Sequence, residues 1–188
     1  MYLHFFYVFL IKFYDLNDNR EYAIIGLRNG VGVVEVTNPT NPRVVGSVAS
    51  QSTAWRDLKV YQYFNHRDNR WESYAYVTAD SASVGTMVVD LRELPDSISA
   101  GITSSNDISA HNVYLSNVDY ATGVALTGMT PYLHIAGSNQ QGGSFNSYGL
   151  DNPQQPHPVY LNASNSRSNY SHDVSSMIVT DERKDTQG

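Results

Sequence analysis

The sequence predicts an all-β fold made of about three four-stranded antiparallel sheets repeated along the chain. Three observations predict it. A hairpin pattern occurs three times at near-even spacing. Tyrosine is abundant, with 14 copies in 188 residues, and with valine and glycine it favours strands joined by tight turns. No window holds apolar residues at sustained i, i+3, i+4, i+7 spacing with caps.

The hairpins are Glu21 to Val36 (EYAIIGLRNGVGVVEV), Ser73 to Leu91 (SYAYVTADSASVGTMVVDL) and Pro131 to Leu150 (PYLHIAGSNQQGGSFNSYGL). Each reads as a short apolar strand, a Gly/Ser/Asn turn and a second strand. Tyr22, Tyr74 and Tyr132 occupy equivalent places, 52 and 58 residues apart. A period near fifty suits one four-stranded propeller blade with loop insertions. The strands are apolar on both faces, as at Ala23 to Ile25 and Met87 to Val89. That pattern is expected of sheets packed between neighbouring sheets.

Outer and inner elements recur as well. TNPTNP (Thr37 to Pro42) precedes the short strand Arg43 to Val48, and DNPQQPHP (Asp151 to Pro158) precedes Val159 to Leu161. Proline lacks the N–H and restrains its predecessor, so these segments turn the chain before an edge strand. RELPD (Arg92 to Asp96) holds the same place in the second repeat, followed by a weak outer strand. WRDLKVY (Trp55 to Tyr61) and AHNVYLS (Ala110 to Ser116) precede the second and third hairpins. A third copy, SHDVSSMIV (Ser171 to Val179), opens a further repeat. The expected architecture is a partial β-propeller with its ring not closed. Residues 1–19 form an N-terminal apolar segment, a strand or a degenerate signal, and residues 20–188 an incomplete repeat region. GSNQQGG (Gly137 to Gly143) and NASNSRSN (Asn162 to Asn169) are expected to be loops.

Composition removes several function classes. The net charge is −6, with 12 basic residues scattered along the chain, which is not the footprint of a nucleic-acid binder. There are no cysteines, so disulfides, thiolate zinc sites and cysteine nucleophiles are excluded. The aromatic run Met1 to Phe13 lacks the leading positive charge and small-residue cleavage site of a secretory signal, and is short for a membrane span.

The stretches Arg20 to Gly46, Trp55 to Phe64, Ser109 to Tyr120 and Tyr170 to Lys184 resemble the LVIVD-repeat β-propellers, in particular the choice-of-anchor B proteins. The order W-R-D, A-H-N, H-D carries the resemblance. It implies a secreted or cell-surface propeller of unestablished activity. The expected role is non-enzymatic, with loops or the channel mouth presented to a protein or small-molecule ligand. Membrane attachment is implied only through an anchor that this stretch does not contain.

The candidate site follows from the repeats. Arg56, His111 and His172 align at the start of the innermost strands, with Asp57, Asn112 and Asp173 beside them. Inner strands of a propeller line its channel, so these side chains are expected to form a polar ring at the mouth. Imidazole and carboxylate can bind a divalent metal or orient a polar ligand, and the alternative function is a metal-dependent enzyme or a metal-binding protein. An architectural role competes, in which a repeated Asp or His bonds backbone amides and ties one repeat to the next. Strand alternation turns the residue beside an inward histidine away, which weakens ligation by Asp57 and Asp173. No G-x-S-x-G elbow is present, and Ser171-His172-Asp173 are adjacent without triad geometry. The tyrosines with Trp55 and Trp71 would suit either a carbohydrate platform or packing between repeats.

Overall fold

The computed structural model describes residues 10–102, 107–138, 143–162 and 170–178. All regular structure of any length among them is β. Three successive antiparallel sheets form, none closed into a barrel. The first runs in spatial order β1 (Leu10–Tyr14), β2 (Glu21–Leu27), β3 (Gly30–Glu35) and β4 (Arg43–Ala49). The second has β5 (Leu58–Asn65), β6 (Arg70–Val77), β7 (Met87–Asp90) and β8 (Ser99–Ile102). The third has β9 (Asn112–Ser116), then β12 (Tyr132–Ala136), β13 (Phe145–Gly149) and β14 (His157–Tyr160).

The three expected hairpins are β2–β3, β6–β7 and β12–β13. The first turns through Arg28-Asn29 into Gly30, which sits at φ +153°, where a Cβ would lie 2.0 Å from the Val48 carbonyl oxygen. Only glycine meets both conditions. The WRDLKVY and AHNVYLS segments become β5 and β9, the first strands of their sheets. Within the N-terminal segment, residues 10–14 form β1, which pairs with β2 from Leu10↔Ile25 to Tyr14↔Glu21.

Stacking explains the apolar runs. Strand alternation sends neighbouring side chains to opposite faces. On β6, Ala75 and Val77 pack against the first sheet in a cluster with Tyr22, Ile24, Val31 and Val33. Tyr74 and Tyr76 point the other way and pack with Val113, Leu115, Leu133, Ile135 and Tyr148 of the third sheet. The middle sheet is therefore covered on both faces.

RELPD forms the expected turn, and a short outer strand of the second sheet follows at Ser99–Ile102. Two details differ from expectation. An added hairpin, β10 (Val118–Asp119) with β11 (Val124–Ala125), interrupts the third repeat and joins β5 in parallel through Val124↔Gln62. Its two-residue strands carry too little alternation to be seen in sequence, and it falls within the longer repeat interval. Ser171 to Ile178 forms no strand. A strand needs a hydrogen-bonding neighbour, and the Ser171 amide instead donates to the Gly143 carbonyl. Val179, most of GSNQQGG and NASNSRSN, and residues 1–9 lie outside the described residues. No helix among the described residues is long and apolar enough to cross a membrane.

Candidate functional site

The first strands of the three sheets, β1, β5 and β9, lie beside one another at one edge of the stack. A cavity of about 310 Å³ opens there, lined by Leu10 and Ile11 of β1, Leu58 and Lys59 of β5, and Trp55, Asp57, Asn112 and Asp173. Three of the aligned polar positions, Asp57, Asn112 and Asp173, thus border one space.

Asp57 is buried, and both carboxylate oxygens are engaged. Oδ1 accepts from the Leu58 amide and from Lys59 Nζ, each at 2.8 Å. Oδ2 accepts from Asn112 Nδ2 at 2.8 Å and from the Val113 amide at 3.1 Å. The carboxylate therefore ties the second sheet to the first strand of the third. Lys59 follows Asp57 by two residues on the same face, so alternation brings its ammonium back to the carboxylate. Asn112 Oδ1 is buried without a partner among the described residues.

The aligned histidines sit together in a row of rings. The His111 ring stacks on Trp55 with centroids 4.6 Å apart and planes 12° apart. His172 lies on its other side at 4.3 Å. Trp55 Nε1 donates to the His111 carbonyl at 3.0 Å. His111 Nδ1 meets Asp80 Oδ2 at 2.8 Å, while Nε2 is buried with no partner among the described residues. His172 is exposed, and its Nδ1 pairs with Asp173 Oδ2 at 2.6 Å.

Arg56 is occupied elsewhere. Its buried guanidinium donates from Nε to the Leu27 carbonyl at 2.8 Å and from a terminal nitrogen to the Gln51 carbonyl. Burial pulls its pKa below the ordinary arginine value. These bonds fasten the second sheet to the end of β2. Asp57 and Arg56 thus both have the bonding of architectural residues. The polar groups left for a ligand at the cavity are Lys59, Asn112 and Asp173.

Among the described residues no group of three or more His, Asp or Glu side chains is arranged to hold a metal ion. Each histidine–aspartate pair supplies one imidazole and one carboxylate. The arrangement suits holding a small polar ligand by hydrogen bonds and charge, against an apolar wall of Leu10, Ile11 and Leu58.

Repetition in the sequence located Asp57, Asn112 and Asp173. Asp80 was not visible, because it lies 31 residues before His111 in the turn after β6 and has no repeat-related mark. Lys59 was missed although its two-residue spacing from Asp57 pointed to it. The chain matches no family model, no curated protein and no solved structure.

Proposed function

We propose that this chain is part of a secreted or cell-surface β-propeller of the LVIVD-repeat, choice-of-anchor B kind. Its role in this reading is to bind a ligand or partner protein at the inner edge, with no catalysis. The carrying observation is that equivalent positions of successive repeats, Asp57, Asn112 and Asp173, border one cavity beside the first strands. Sheets of four, six and four strands in chain order, with first strands adjacent and the two extra strands of the middle sheet supplied by the β10–β11 hairpin, are compatible with consecutive blades. The engagement of Asp57 and Arg56 in bonds between sheets also favours binding over chemistry, since neither is left free to act as base or acid.

Metal analysis of the intact protein separates this reading from a metal-dependent enzyme using Arg56, His111, His172 and Asp173. Binding without chemistry expects no stoichiometric divalent metal and normal folding of the His111→Ala, His172→Ala double variant. Stoichiometric zinc or calcium that disappears in that variant would overturn it. Antibody labelling of intact cells tests the location, and a signal seen only after lysis would count against the surface.

A further inference from the structure

A second cavity, of about 420 Å³, opens between the second and third sheets. It shares no residue with the cavity at the first strands. Its walls are aromatic and apolar. Tyr61 and Tyr63 of β5 are two residues apart, hence on one face, with ring centroids 6.1 Å apart and planes 11° apart. Pro131 and Tyr132 stand at the start of β12, and Asp151 and His157 form the polar part of the rim. His157 Nδ1 meets Asp151 Oδ1 at 2.8 Å. The bare backbone of Gly149 makes room for that imidazole, since a Cβ there would lie 2.4 Å from His157 Cε1.

The two stacked tyrosines differ in one respect. The Tyr63 hydroxyl donates to Glu72 Oε2 at 2.8 Å, and burial with this bond pushes its pKa up to about 12. Tyr61 is 94% buried, at 6% exposure, yet its hydroxyl makes no hydrogen bond among the described residues. Burial alone raises its pKa. Tyr61 lines the cavity and its hydroxyl oxygen is not sealed from solvent, so a ligand hydroxyl can bond to it.

We infer that this cavity is a binding site for a neutral saccharide. A sugar ring offers an apolar C–H face, which stacks on tyrosine rings as other flat apolar groups do. Its equatorial hydroxyls reach outward to polar groups at the edge. Here those are the Tyr61 hydroxyl and the Asp151 carboxylate, which accepts from ligand O–H. The acid and the imidazole on the rim, Asp151 and His157, are paired with each other, so they do not favour a strongly charged ligand such as a phosphate. The volume suits a small ligand and falls short of an extended trench for a proline-rich peptide.

The experiment is calorimetric titration of the whole chain with cellobiose, maltose, lactose and, as a competing class, hexaproline, each up to about 10 mM. At least one disaccharide is expected to bind. Tyr63→Ala should weaken it about tenfold or more. Tyr61→Phe, which keeps the ring and the packing, should weaken it roughly three- to tenfold, the equivalent of one hydrogen bond. Lys59→Ala, at the other cavity, should leave it unchanged. Circular dichroism of each variant shows whether the fold is retained. Failure of all three sugars, binding of hexaproline alone, or a sugar affinity unmoved by Tyr61→Phe in a folded protein would overturn the assignment.

Discussion

Replacing Asp57 by alanine tests whether the aligned acidic position is primarily a tie between sheets. Asp57 accepts four hydrogen bonds, two of them from Asn112 and Val113 at the start of the third sheet. Truncation leaves the Val113 amide without an acceptor, and Val113 is fully buried. An unsatisfied buried donor costs about 1–3 kcal/mol, and a charge-assisted bond such as that from Asn112 contributes about 1.5–3 kcal/mol. The Lys59 pair is partly exposed and adds little. The expected loss is therefore about 3–5 kcal/mol, or roughly 10–15 °C in Tm for a chain of this length. Asparagine should rescue only in part, because its NH2 replaces one of the two accepting oxygens and sets donor against donor either at Asn112 and Val113 or at Leu58 and Lys59. Urea denaturation of wild type, Asp57→Ala, Asn112→Ala and the double variant measures it. Coupling between the two positions of about 1 kcal/mol or more is expected. A loss under about 1 kcal/mol with no coupling would refute the architectural role and leave Asp57 as a ligand group.

Three further outcomes are expected. Gly30→Ala should lower stability by about 2–4 kcal/mol, because both its φ and the nearby Val48 oxygen exclude a side chain; unchanged denaturation would contradict the turn geometry. Stability should fall in two steps on acidification. Burial holds His134 below its ordinary value of 6.5, so the unfolded chain takes up that proton first and stability drops as pH passes below 6.5. For Glu72 and Asp90, burial raises the pKa, but hydrogen bonds prevail and hold both below their ordinary values of 4.5 and 3.8. Those bonds come from Asn65, Tyr63 and Tyr74 to Glu72 and from Arg92 to Asp90, so a second drop follows below the ordinary values. His134→Gln should remove only the first step in a series of denaturation midpoints, and a first step that survives would assign it elsewhere. Finally, Leu10, Leu27 and Val44 of the first sheet and Val159 and Tyr160 of the third are exposed, so the isolated chain should bind ANS and associate as concentration rises. Sharp unfolding of a soluble monomer, independent of concentration, would contradict this.

The cavity positions were legible to different degrees. Asp57, Asn112 and Asp173 were found by alignment of repeats, and all three border the cavity. The direction of Arg56 was not legible. Whether a guanidinium turns to the inner edge or back to the Leu27 carbonyl depends on the neighbouring sheet's backbone, which the local sequence does not encode. Asp80 and the unpaired Tyr61 hydroxyl were invisible for a similar reason, since their surroundings come from distant segments.

The sequence by itself determined the all-β character, the three hairpins and the strands apolar on both faces that pack sheet against sheet. These depend on period-two alternation and on turn residues, which are local properties. Only the tertiary structure decided which face each residue met, where the added β10–β11 hairpin docked and which polar groups were consumed by bonds between sheets. Those outcomes rest on contacts between residues roughly fifty positions apart, where packing and hydrogen-bond satisfaction select among arrangements that local pattern leaves equal.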